Sequence, residues 1–148
     1  MLDLRDNPVA NVMRRNVAPI EAMLNTTIET VDVDAGKVEA SFDIDASFAN
    51  QNGFVAGGVV ASMLDIVMAA AGSAKTGRCK GMVTLELKVT YLRPAPVGRF
   101  IAVGTALQVG SRVAFLEAEL FAVGQAECIA RSSCTSLPID WTVAAAQE

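Results

Sequence analysis

From Val55 to Ala74 the chain runs for twenty residues with a single charge, Asp65. A run of that length is too long for a strand. It reads as a helix that is apolar on nearly every side. Such a helix must be buried, in a protein core or in a membrane. Alanine and glycine make up much of it, and they do little to offset an Asp at a bilayer centre, which costs about 2.5–3.5 kcal/mol. The expectation is therefore a core helix and no membrane span. Gly57-Gly58 stands at its beginning, and Gly77 follows Lys75-Thr76 as a cap for its end.

Everything around this helix has the two-residue period of strands. Thr27–Val33 and Lys37–Asp45 flank the turn Asp34-Ala35-Gly36. In the second of them Val38, Ala40, Phe42 and Ile44 alternate with polar residues. After the helix, Val83, Leu85, Leu87 and Val89 alternate with Thr84, Glu86, Lys88 and Thr90, and Pro94 and Pro96 break the pattern. Phe100–Val109, Arg112–Val123 and Ala126–Leu137 follow, joined by the short turns Gly110-Ser111 and Gly124-Gln125. Residues 1–24, punctuated by Pro8 and Pro19, read as an N-terminal helical arm. No repeat or linker interrupts the rest, so residues 1–148 form one domain. Its order is two strands, one helix, four strands. The simplest α+β architecture is one curved antiparallel sheet wrapped around a central helix.

The chain contains no histidine. A Ser-His-Asp or Cys-His catalytic arrangement cannot be built within it, nor can a zinc site with imidazole ligands. Hydrophobic residues make up 52% and charged residues 19%, against a usual charged share of about 25%. So few charges predict surface buried between subunits. The net charge of −4 argues against a nucleic-acid partner, which normally meets a basic face. The cysteines Cys79, Cys128 and Cys134 show no metal-ligand spacing. Cys128 and Cys134 fall on one strand, roughly 20 Å apart, too far to bond. A reduced, cytoplasmic compartment is expected. Met1–Asp6 has no basic region followed by an apolar run, so no signal peptide is read there.

Three features can carry chemistry. Asp65 is the first: a carboxylate inside an apolar helix is costly unless it is paired or faces a wet cavity. Ala61, Ser62 and Ala69, one turn away, are small and leave room for another molecule; Met68 is the fourth neighbour. The structural alternative is a pair with a core Arg or a backbone amide. Gly57-Gly58 is the second: the first amides of a helix are unpaired and carry partial positive charge, and no side chain blocks them. They would suit a carbonyl or oxyanion, or they only permit close packing. Asn50, just ahead of the helix, is the third. Its amide would orient a water or a carbonyl, or it only forms a turn.

Together Asn50, Gly57 and Asp65 read as N-x6-G-x7-D across a loop and a buried helix. With Asn50-Gln51-Asn52-Gly53-Phe54-Val55-Ala56-Gly57-Gly58 and the later Val83–Ala95 run, the chain resembles the hotdog-fold acyl-CoA thioesterases. The group includes phenylacetate-pathway and 4-hydroxybenzoyl-CoA thioesterase-like enzymes and their mammalian mitochondrial relatives. The resemblance spans about residues 20–138, including strand order. It implies Asp65 as general base or nucleophile, Gly57 as the backbone donor that polarises the thioester carbonyl, Asn50 as a positioning group and Thr84 as an assistant to the carboxylate. It implies a substrate surface drawn from Gly58, Met82, Tyr91, Arg93, Gly110, Ser111 and Arg112. Phe54, Val59 and Met63 would join Met82 around an apolar or aromatic acyl group. It also implies a site shared between subunits, in a homodimer or a dimer of dimers (a homotetramer). The family's His before Gly-Gly is Ala56 here, which keeps the backbone donor and loses the imidazole.

The expected reaction is hydrolysis of an aryl- or medium-chain acyl-CoA to free acid and CoA. It needs no metal or organic cofactor, because a carboxylate base and water suffice. The alternative is a non-catalytic acyl-CoA binder or sensor on the same fold, motivated by Ala56. A hotdog dehydratase is disfavoured, since those relatives resemble one another in a catalytic His.

Overall fold

A computed structural model describes residues 7–78 and 80–140. Met1–Asp6, read above for a signal peptide, and Cys79 lie outside the described residues, as do residues 141–148. The elements run α1 (Pro8–Arg15), α2 (Pro19–Met23), β1 (Thr27–Asp32), β2 (Lys37–Ile44), α3 (Gly57–Lys75), β3 (Gly81–Tyr91), β4 (Gly98–Val109), β5 (Ala114–Ala122) and β6 (Cys128–Ile139), with one 3₁₀ turn at Ala46–Phe48. The N-terminal arm is thus two short helices. Asn7 caps the first, accepting from the backbone N–H groups of Val9 and Ala10.

The six strands form one antiparallel sheet in the order β1-β2-β4-β5-β6-β3. The sheet wraps α3, and the chain has the α+β hotdog fold. Two connections are longer than the sequence predicts. Gly110–Val113 joins β4 to β5, closed by the Gly110 N–H on the Val113 carbonyl. Residues 123–127 join β5 to β6, with Gly124 at φ +86°. Arg112 therefore sits in a turn and not at a strand start.

The central helix departs from its sequence reading in one respect. Val60, Met63, Leu64, Val67, Met68 and Ala71 are buried, at the i, i+3, i+4, i+7 spacing of one helix face. Ala61, Ser62, Asp65, Ile66, Ala69 and Ala70 are only half-buried. Composition predicted burial all round, but the sheet of one chain covers only one side. The other side is apolar apart from Asp65 and Ser62, and the described residues bury it only in part.

Close approach of helix to sheet depends on a missing side chain. A Cβ on Gly104 of β4 would stand 2.3 Å from the carbonyl oxygen of Val67 in α3. Both partners are backbone, so the helix itself would have to move. Gly104→Ala is expected to lower stability by about 1–3 kcal/mol or more, the range for overpacked cores. The shift will appear in the urea midpoint with the slope unchanged.

Candidate active site

Asp65 projects from the middle of α3 on its half-buried side. The Thr84 hydroxyl of β3 donates to Asp65 Oδ1 at 2.7 Å. Among the described residues no Lys or Arg pairs with this carboxylate. The structural alternative of a core ion pair is thereby removed. One carboxylate oxygen is held by a neutral hydroxyl, and among the described residues Oδ2 has no donor.

Thr84 reaches Asp65 because of an irregularity that the strand pattern does not reveal. Plain alternation would set Thr84 beside Glu86, Lys88 and Thr90, away from the helix. In the sheet, Thr84 pairs with Ser136 and Glu86 with Thr135, so Leu85 is an extra residue in β3. This β-bulge reverses the faces. Beyond it Leu87 and Val89 turn towards the core, opposite Cys134 and Ser132. Before it, Thr84 faces inward with buried Ser136, and Val83 and Leu85 are exposed. The wall beneath Asp65 is a polar stripe on β6. The Cys134 thiol lies 3.5 Å from the Ser136 hydroxyl, and the Ser132 hydroxyl donates to the Met68 sulfur. Burial pushes the Cys134 thiol up from its usual range; the Asp65 charge adds to that, and the Ser136 contact opposes it.

The start of α3 forms a second cluster. Ala56 caps the helix without a side-chain bond. Its carbonyl accepts from the Val59 and Val60 amides, so the Gly57 and Gly58 N–H groups are the unpaired first donors of the helix. Both glycines are exposed. The Tyr91 hydroxyl, at the end of β3, donates to the Gly57 carbonyl at 2.6 Å. Asn50 turns its Oδ1 onto its own loop, accepting from the backbone N–H groups of Asn52 and Phe54. It shapes that loop and leaves its Nδ2 unbonded among the described residues.

These two clusters do not meet within one chain. Seven residues of helix lie between Gly57 and Asp65, which sets them about 12 Å apart along the axis. The remaining candidates divide in the same way. The Arg93 guanidinium donates to the Cys128 carbonyl at 2.8 Å, at the Tyr91 end of the sheet. Gly110, Ser111 and Arg112 sit beside the row Ala114–Ser136–Thr84, at the other end and about 30 Å away along extended strand. Met82 packs against Gly72, two turns beyond Asp65. Phe54 is exposed near the Gly57 end, but Met63 is fully buried in the core. Met63 lies two positions before Asp65, which puts it on the opposite helix face, so it cannot line a pocket at the carboxylate.

Comparison with known proteins places these features in a wider group. Residues 52–129, more than half of the chain, match the Thioesterase superfamily. A candidate esterase of Caenorhabditis elegans is 32% identical over 90 residues, covering 60% of this chain and 53% of that protein. A second, of Saccharolobus solfataricus, is 27% identical over 92 residues, covering 62% and 65%. The matches thus span about half to two thirds of the length of these curated relatives. A solved structure from Ralstonia eutropha JMP134, a candidate thioesterase described as a phenylacetic acid degradation-related protein, superposes with a TM-score of 0.79 at 28% identity. It covers 88% of this chain and 99% of its own.

Proposed function

Because the chain belongs to the thioesterase superfamily, we propose that it hydrolyses acyl-CoA thioesters, with Asp65 driving water onto a carbonyl held at Gly57. The observation that carries this reading is the Asp65–Thr84 pair, an otherwise uncompensated carboxylate on the half-buried side of the central helix. Thr84 holds Oδ1, which leaves Oδ2 for water. Acting as base, Asp65 takes a proton from water while the oxygen adds to the thioester carbon. The negative charge that develops on the carbonyl oxygen is met by the helix-start N–H of Gly57. Collapse breaks the C–S bond, and the departing CoA sulfur takes the proton back from Asp65. The alternative course, direct attack by the carboxylate, uses the same groups. Neither course uses a metal or an organic cofactor.

Because about 12 Å of helix lies between Asp65 and Gly57 of one chain, the proposal includes a second subunit, and two surfaces support one. The outer side of α3 is an apolar face that the described residues of a single chain bury only in part. Strand β3 is an edge, bonded to β6 on one side only, and it exposes Val83, Leu85 and Tyr91. Long apolar edge strands invite pairing. If two β3 strands pair antiparallel about a two-fold between Leu87 and Lys88, Thr84 comes opposite Tyr91 of the partner subunit. Asp65 then faces the partner subunit's Gly57 and Asn50. In this arrangement Arg93 of one subunit and Arg112 of the other approach the same site, where either would meet the CoA phosphates. The homodimer, the dimer of dimers and the cytoplasmic setting belong to this proposal.

The test is thiol release from a panel of aryl- and medium-chain acyl-CoA esters. Turnover of at least one, with free CoA in step with free acid, is the expected result. Tight binding of a CoA ester with no thiol release would instead favour the non-catalytic sensor, the reading that Ala56 keeps in play.

A further inference from the structure

The start of α3 lacks the side-chain cap that such helices usually carry, since Ala56 has nothing to offer. Among the described residues no side chain accepts from its first N–H groups, and the contact that reaches this turn from outside the helix goes to a carbonyl instead. The Tyr91 hydroxyl donates to the Gly57 carbonyl, and a Cβ on Gly57 would stand 3.3 Å from that hydroxyl. The absence of a side chain at Gly57 therefore admits the tyrosine. Both sides of the contact are tied together. The Val55 N–H donates to the Ala95 carbonyl, and the Leu92 and Arg93 N–H groups share the Ile129 carbonyl. Phe54 and Pro96 form a further bridge.

The Gly57 carbonyl belongs to the same peptide group as the Gly58 N–H. A hydrogen bond accepted at one end of a peptide polarises it and makes the other end a stronger donor. Among the described residues the Gly58 N–H has no partner, and Gly58 is exposed, directly after Gly57. We propose that Tyr91 is a positioning residue: it sets the orientation of the Gly57-Gly58 turn and makes the Gly58 N–H a second donor to the thioester carbonyl. This rests on the thioesterase reading above. It assigns Tyr91 a role through the helix backbone and not through direct contact with substrate.

The experiment compares wild type, Tyr91→Phe, Gly57→Ala, the double variant and Asp65→Asn on one aryl-CoA ester, with melting temperatures for each. Tyr91→Phe removes only the hydroxyl. It is expected to lower kcat by about three- to tenfold, with KM and melting temperature unchanged, because the bond acts on the transition state. Gly57→Ala crowds the same hydroxyl, so it is expected to lower kcat in wild type and to add nothing in the Tyr91→Phe background. An unchanged kcat in Tyr91→Phe while Asp65→Asn is inactive overturns the positioning role and leaves the thioesterase reading intact. A raised KM with unchanged kcat also overturns it, by making Tyr91 a substrate contact. Full activity of Asp65→Asn overturns the thioesterase reading and this inference with it.

Discussion

Asp65→Asn is expected to lower kcat by about 10²- to 10⁴-fold, the range for loss of a positioned general base. The fold should not suffer. Asn is isosteric, and its side-chain carbonyl can still accept from Thr84, whose hydroxyl donates to Oδ1 in the native protein. No cation is left stranded, because among the described residues none pairs with Asp65. KM should change little, since the carboxylate acts on water and not on the CoA moiety. The measurement is thiol release at saturating substrate, with the melting temperature as a check on folding. Equal rates for both proteins would remove Asp65 from the mechanism.

Gly57→Pro should cost about 10²- to 10³-fold in rate, the usual effect of deleting one oxyanion donor. Proline removes the N–H and otherwise suits the position. Gly57 is the first residue of the helix, where proline is favoured. Ala56 before it already has φ −60° and ψ 140°, the extended geometry that a residue preceding proline adopts. The new Cβ would crowd the Tyr91 hydroxyl, and Gly57→Ala controls for this by adding the Cβ while keeping the N–H. The excess loss of Gly57→Pro over Gly57→Ala measures the donor. If the two variants are equally active, the carbonyl is not held there.

Mixed together, these two inactive chains test where the site lies. In a dimer of one Asp65→Asn chain with one Gly57→Pro chain, a shared site is intact once, because Asp65 from the second chain meets Gly57 from the first. Random reassociation should then restore about a quarter of wild-type activity, as two-fold symmetry requires. A site contained within one chain would give no recovery.

Most of the fold was legible in local pattern. The alternation in Lys37–Ile44 and the twenty-residue apolar run define a strand and a helix whose bounds in the structure fall within a residue or two of the reading. Asp65 also stood out in sequence, because a lone charge in an apolar helix demands an account. Other features were not legible. Apolar composition could not say which side of α3 the sheet covers, since nearly every position is hydrophobic and the choice falls to packing. Met63, expected around the acyl group, is turned by the helix into the core. Tyr91 on Gly57 joins residues thirty-four positions apart, and no local period encodes that contact.

Thr84 marks the boundary between the two kinds of information. By itself the sequence determined the element order, the central helix, the carboxylate within it and the exposed amides at its start. These follow from periods of two and 3.6 residues and from the cost of burying charge. Only the tertiary structure decided that Thr84 faces Asp65. A strand's faces alternate strictly until an extra residue intervenes, and that residue is defined by the partner strand. Pairing with β6 makes Leu85 the bulge, and the polar residue that alternation points outward is turned in to hold the carboxylate.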